Sequence, residues 1–328
     1  MSTTLPSGSS MKNNLRKTSI PAIEGEPFFQ HLRSLKDEDR HPLNCQWEIT
    51  CRCNFKCVMC YTDCFNTPGD IARELSTEEI FRIMDDMKEA GVLELTLTGG
   101  EPMSRPDFKA IYLRAVQNGF LTTVFTNGSY INEAWIQLWT DFPPHGIEIS
   151  IHGATRETFD QVTAMSGSHE RVMKAVQLVI NAGLPLMVKT TGLSLNEHEV
   201  LTIKEQMKKI PGIHAKFNFN IRPQADGNEH PYQYQISDQR LEKIFESDEA
   251  FKKADQDLEA ALEGCSSTCH EGKKQFHIDA YGQMQLCSRN RVNSYDLRRG
   301  NFREGFYKNL PVFFCPRKKP DGSCCSPA

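Results

Sequence analysis

Cys53-Asn-Phe-Lys-Cys57-Val-Met-Cys60 places three thiols within eight residues. An apolar stretch that includes Trp47 and Ile49 precedes it and reads as a short strand. Thiolates this close converge on one soft metal centre, and thiolate donors select zinc or iron–sulfur over hard cations. The C-x3-C-x2-C frame holds only three of them. A structural zinc site or an ordinary cubane takes four ligands. Three thiolates on a cluster leave one iron open to bind and activate something else.

Further along, Leu95-Thr-Leu-Thr98 reads as a strand that runs into Gly99-Gly100-Glu101-Pro102. Paired glycines at a strand end allow the backbone to approach a ligand closely. Glu101 offers a carboxylate for an ammonium, and Pro102 stiffens the exit. In this order and spacing the two motifs resemble the radical S-adenosylmethionine (radical SAM) superfamily. The resemblance implies that Cys53, Cys57 and Cys60 hold a [4Fe–4S] cluster. It implies that S-adenosylmethionine chelates the fourth iron, with Gly99, Gly100, Glu101 and Pro102 cradling its amino group. An electron from a flavodoxin- or ferredoxin-type donor would then cleave the sulfonium and yield a 5′-deoxyadenosyl radical.

The chain of 328 residues carries 38 Lys and Arg against 42 Asp and Glu, a net charge of −4. That balance gives no footprint for nucleic acid. Residues 1–20 are polar and fail as a signal peptide. No apolar run approaches the ~18 residues of a membrane span. The 12 cysteines cluster at residues 45–64 and 265–325. Two metal-binding zones explain this distribution better than a disulfide scaffold, and they require a reducing cytoplasm.

Strand and helix signals alternate through the middle of the chain. Ser76-Thr-Glu-Glu79 is a capping-box signature, and Ile80, Ile83, Met84 and Met87 repeat with helical period up to Gly91. The pattern predicts strands at 94–98, 121–125, 146–151, 185–190 and 214–220. It predicts helices at 107–118, 132–140, 169–182 and 197–209. About six βα steps argue for a parallel sheet with helices outside, fewer than a complete eightfold barrel. The expected fold is α/β, an open (β/α)6 partial TIM barrel with a small C-terminal iron–sulfur extension. Expected boundaries are a lead-in at 1–40, the core at 41–223, a linker with helices at 224–264, and a Cys-rich domain at 265–328. Both motifs follow strands, so both fall at the carboxyl rim where such folds bind ligands.

Cys269-x12-Gly282-x4-Cys287 contains a predicted hairpin turning at Tyr281-Gly282. This element, with Asp296–Arg303 after it, resembles the SPASM or twitch extension of radical SAM enzymes. The usual cysteine run that follows is absent. The resemblance implies one auxiliary [4Fe–4S] cluster on Cys269, Cys287, Cys315 and one of Cys324 or Cys325, with Cys265 as an alternative ligand. A four-thiolate zinc site remains open for the same residues.

Several further residues fall at the rim. Tyr61, directly after Cys60, matches an aromatic that in such relatives lies near the adenine. Asn127 follows a strand and either lines the rim or forms a turn. Ser150 lies in a Ser-Ile-His-Gly segment similar to a cofactor-contacting one, with His152 in place of an aspartate. The arginine that relatives use for the cofactor carboxylate is missing, which leaves Lys189 or Arg222 for that charge. Cys45, Cys51 and Cys64 lie off the frame and read as small buried residues or as a hydrogen-atom donor. The segment CVMCYTDCFNTP resembles peptide maturases, including spliceases. The resemblance implies a ribosomally made precursor peptide as substrate and a separate leader-binding partner. A sugar, nucleoside or cofactor intermediate is the alternative substrate, and a non-catalytic zinc scaffold the remote one.

Overall fold

Alternation along each strand separates two faces. In β1, Asn44–Glu48, the side chains of Cys45 and Trp47 are fully buried among apolar neighbours, while Gln46 and Glu48 point to the opposite face. The same parity buries Leu95 and Leu97 of β2 (Glu94–Thr98), Ile147 and Ile149 of β4 (Gly146–Ser150), and Val188 of β5 (Leu186–Thr191). With β3 (Leu121–Thr126) and β6 (His214–Asn218) these strands run parallel in the order β6-β5-β4-β3-β2-β1. The computed structural model describes residues 40–62, 67–210, 212–253, 273–288 and 291–313. Cys64, Cys265, Cys269, Cys315, Cys324 and Cys325 lie outside the described residues, as do residues 1–39 of the lead-in segment.

Two helices, α1 (Pro68–Arg73) and α2 (Thr77–Ala90), connect β1 to β2. α2 begins with the predicted capping box: Ser76 accepts from Glu79 N–H, and the Glu79 carboxylate accepts from Ser76 N–H. Ile80, Ile83, Met84 and Met87 are all buried, each contributing about 2 kcal/mol. Gly91 ends the helix at φ +88°, where only glycine sits without strain. The other expected helices form as α3 (Phe108–Gln117), α4 (Glu133–Asp141) and α6 (Ser168–Asn181). Between α4 and α6, α5 (Arg156–Thr163) was not foreseen. It is eight residues long with only Phe159 and Val162 as large buried apolar groups, too few to register as a period. Helix α7 (Val200–Lys208) starts three residues later than predicted. Asn196 accounts for the delay: its side chain accepts from Leu193 N–H and donates to the carbonyls of His152 and Thr191. These bonds hold the entry loop out of helical conformation.

After α8 (Asp238–Glu246) the predicted hairpin forms from β7 (Gln275–Ile278) and β8 (Gln283–Gln285). It is not set apart from the core. β7 pairs in parallel with β1, His277 beside Gln46, and β8 and β9 (Tyr295–Asp296) continue the sheet antiparallel to nine strands. β6 and β9 are its two ends, so the sheet is open.

Candidate active site

The loop leaving β1 is held by backbone contact with the loop leaving β2. Gly100 N–H donates to Thr50 O, and Glu101 N–H donates to Arg52 O. A Cβ at Gly99 would lie 2.3 Å from Thr50 O, and one at Gly100 would lie 2.3 Å from Arg52 O. The glycines were expected to admit a ligand. The backbone they admit is that of the Cys53 loop, although both also line the cavity described below.

A second brace comes from Glu74. Its carboxylate accepts from the Thr50 hydroxyl at 2.6 Å, from Cys51 N–H at 2.8 Å and from the Cys51 thiol at 3.1 Å. Its other oxygen lies 3.0 Å from the Arg52 guanidinium. Arg105, itself buried, donates to the carbonyls of Ile49 and Leu75. Burial and the Glu74 charge together push the Cys51 thiol up to about 12, which makes it inert rather than nucleophilic.

Cys53, Cys57 and Cys60 all open into one cavity of 590 Å3, within the range of about 300–1,000 Å3 typical of ligand sites. Asn127 N–H donates to Glu101, and its side-chain amide donates to Asn54 Oδ1 at 2.9 Å while lying 3.9 Å from the Cys53 sulfur. Burial, with Cys60 adding to it, raises the Cys57 thiol. Among the described residues, no three His, Cys, Asp or Glu groups draw together tightly enough for a single ion. Three thiolates opening into one cavity are a soft donor set of the kind an iron–sulfur cluster takes.

The remaining wall carries Tyr61, Gly99, Gly100, Asn127, Ser150, His152, Lys189 and Arg222. Lys189 pairs with Glu148 and lies 3.4 Å from the centroid of the Phe125 ring. His152 Nδ1 accepts from Thr191 N–H, and burial lowers the ring to about 4, so it is neutral with its proton on Nε2. Tyr61 donates its hydroxyl to Glu48, which also pairs with Arg291 at 2.5 Å and faces His277 at 3.5 Å. Burial alone would raise Glu48, but His277 and Arg291 outweigh it and hold the carboxyl down at about 2.

Across residues 47–207 the chain matches the family model for the Radical SAM superfamily. Residues 47–207 are a radical SAM domain. The AdoMet-dependent heme synthase of Methanosarcina barkeri is 30% identical over 183 residues, 56% of this chain and 52% of that protein. The PqqA peptide cyclase of Granulibacter bethesdensis is 33% identical over 148 residues, 44% of this chain and 38% of the relative. The chain thus spans about half or less of these curated relatives. The crystal structure of Streptococcus suis SuiB bound to precursor peptide SuiA shares the fold, with a TM-score of 0.66 at 13% identity, covering 91% of this chain and 73% of that one. Membership implies S-adenosylmethionine and a [4Fe–4S] cluster for this domain. No helix among the described residues is long and apolar enough to cross a membrane.

Within the radical SAM domain, two residues of the glycine motif stand apart from the cavity. Glu101 is fully buried and is not part of the wall. Its carboxylate accepts from Met103 N–H, Asn127 N–H and the Thr126 hydroxyl, and burial raises it to about 7. It was expected to meet an ammonium directly; the structure turns it inward, where it holds Asn127. Pro102 is likewise buried and opens a 3-10 turn at Pro102–Ser104. Lys216 and Gln46 of the wall were not singled out in the sequence, although strand parity places Lys216 on the same face as Asn218.

Proposed function

We propose that this protein is a radical SAM enzyme that modifies a ribosomally made precursor peptide by crosslinking, epimerisation or backbone excision. One observation carries the chemistry: the three cysteines of the first motif share a cavity with Gly99, Gly100, Asn127, Ser150 and Lys189, side chains and backbone from four other strand ends. When bound, the cluster and S-adenosylmethionine supply reductive S–C bond cleavage and a carbon radical able to take a hydrogen atom from substrate.

The chain's own residues bind and orient. Cys53, Cys57 and Cys60 would hold the cluster, leaving one iron open. The Thr98–Gly100 backbone and Asn127, fixed by Glu101, would receive the amino group of S-adenosylmethionine. Lys189 or Arg222 would meet its carboxylate, Ser150 and the Nε2 proton of His152 would serve its ribose, and Tyr61 would pack at its adenine; all of them line the cavity apart from Glu101. The buried Phe55 and the apolar Met59 help keep water from the cluster end.

Cys287 follows β8 and is proposed as a ligand of an auxiliary [4Fe–4S] cluster with Cys269, Cys315 and one of Cys324 or Cys325, Cys265 being the alternative. A leader-binding protein and a flavodoxin- or ferredoxin-type donor are the proposed partners, in the cytoplasm. The peptide reading is supported by likeness to a PqqA peptide cyclase and by a shared fold with SuiB, crystallised with its precursor peptide. A small-molecule substrate is the second reading, favoured by the likeness to a heme synthase. Anaerobic reconstitution followed by assay for 5′-deoxyadenosine tests the enzyme reading. The wild type should turn brown and form it, and the Cys53→Ala/Cys57→Ala/Cys60→Ala variant should not. A colourless zinc-loaded protein would refute it.

A further inference from the structure

A closed ring of hydrogen bonds stands beside Cys53. Asn54, the next residue, donates its amide N–H to the Ser129 hydroxyl at 2.8 Å. That hydroxyl donates to Asn127 Oδ1 at 2.6 Å, and Asn127 Nδ2 donates back to Asn54 Oδ1 at 2.9 Å. The ring ties the cysteine loop to the exit of β3. One further bond sets the direction in which it runs. Ser129 N–H donates to Asn127 Oδ1 at 2.9 Å, and a backbone N–H can only donate. The amide oxygen therefore faces Ser129, and the NH2 group faces the cysteine loop. The backbone beneath is anchored too: Asn127 N–H donates to Glu101 at 2.6 Å, and Gly128 N–H to Thr126 Oγ1 at 2.9 Å.

An amide NH2 group has two hydrogens to give. Asn54 Oδ1 takes one. The other faces the Cys53 sulfur, which lies 3.9 Å from Nδ2. Phe55 N–H donates to the same sulfur at 3.4 Å, from a residue that is itself buried. Towards a neutral thiol such contacts are weak, but an ionised sulfur is a stronger acceptor. Hydrogen bonds to the sulfurs are among the features that set the reduction potential of an iron–sulfur cluster. An added electron increases the negative charge on the ligand sulfurs. A donor aimed at one of them therefore stabilises the reduced state more than the oxidised one.

We propose that Asn127 is a positioning residue for the cluster: its side-chain amide, oriented by Ser129, holds the Cys53 thiolate and raises the potential at which the cluster takes one electron from the flavodoxin- or ferredoxin-type donor. This inference rests on the cluster reading above and does not depend on which substrate the enzyme takes.

The test is a redox titration of the reconstituted protein without S-adenosylmethionine, followed by electron paramagnetic resonance. The relevant signal is the one missing from the Cys53→Ala/Cys57→Ala/Cys60→Ala variant. Asn127→Ala should make the one-electron reduction about fivefold less favourable, a fall of about 40 mV at about 59 mV per decade. Ser129→Ala keeps the Ser129 N–H, and with it the orientation of the amide, and should keep the wild-type midpoint. An unchanged or raised midpoint in Asn127→Ala overturns the proposal. So does an equal fall in both variants, since the loop as a whole rather than the amide would then set the potential. A second measurement uses the wild type alone, with asparagine labelled with 15N at the side-chain amide. Electron–nuclear double resonance should detect a weak nitrogen coupling to the reduced cluster, and its absence overturns the proposal even where Asn127→Ala fails to hold iron. A wild type that takes up no iron overturns the cluster reading itself, whereas an intact cluster with an unchanged midpoint in Asn127→Ala overturns this inference alone.

Discussion

Replacing Gly100 by alanine should dislodge the cysteine loop. The new Cβ would stand 2.3 Å from Arg52 O, 2.8 Å from Arg52 C and 2.9 Å from Cys51 O. Carbon and carbonyl oxygen settle at roughly 3.3 Å, so one strand exit must move by about 1 Å. All three clashing atoms are backbone, and Arg52 O is already held by Glu101 N–H at 2.7 Å and the Ser104 hydroxyl at 3.0 Å. Moving Arg52 strains those bonds and the Gly100 N–H to Thr50 O bond, each worth about 1 kcal/mol. Overpacking adds about 1–3 kcal/mol. The total is about 4–6 kcal/mol, delivered one residue from Cys53. Gly119→Ala is the control: φ is +87° there, but no atom lies within 4 Å, so only the left-handed strain of about 1 kcal/mol applies. The assay is anaerobic urea unfolding with iron content measured in parallel. Gly100→Ala should lose several times more stability than Gly119→Ala, and should lose cluster iron. Equal losses with full iron content would refute the claim that these glycines exist to seat the cysteine loop.

Other outcomes follow from the same geometry. Glu74→Gln removes the charge opposite Arg52 and buried Arg105 and should destabilise the fold by about 3 kcal/mol in urea titrations; a loss below 1 kcal/mol would mean that the carboxylate is not bracing the loop. Burial raises Glu101 from 4.5 to about 7, so the folded state binds its proton more tightly than the unfolded chain does. Its contribution is full below about pH 4.5 and fades as pH rises through 7, by up to about 3 kcal/mol. Thermal melts between pH 5 and 8 should show that decline in the wild type and a flatter profile in Glu101→Gln; parallel profiles would contradict it. Asn127→Ala removes the amide near the Cys53 sulfur and should weaken S-adenosylmethionine binding about tenfold by calorimetry; unchanged affinity would remove Asn127 from the site.

Local signals carried the core because the chemistry there is local. The capping box at Ser76, the period of Ile80 to Met87 and the stop at Gly91 each belong to one helix, and each reappears in the structure. The cysteine frame and the glycine pair were legible because both follow strands in a parallel sheet, where the rim is the common destination. The setting of Glu101 was hidden for a non-local reason. Its partners, Thr126 and Asn127, sit on the next strand exit, and only the folded register reveals that they donate to the carboxylate. β7 beside β1 was hidden in the same way: Asn44 and Gln275 are paired across more than two hundred residues, a distance no periodicity spans. Glu48, His277 and Arg291 gather through that pairing, and so could not be seen as a group beforehand. Lys216 was within reach, since alternation in β6 sets it on the face of Asn218, but a lone exposed lysine carries no local signal.

The central claim is an iron that Cys53, Cys57 and Cys60 leave open, beside Gly99 and Asn127. Electron–nuclear double resonance on the reduced, reconstituted protein tests it directly, using S-adenosylmethionine labelled with 15N at the methionine amino group. The account predicts a nitrogen coupling to the cluster in the wild type and its absence in the Cys53→Ala/Cys57→Ala/Cys60→Ala variant. A wild-type cluster with no such coupling, or a coupling that survives loss of all three cysteines, would contradict it.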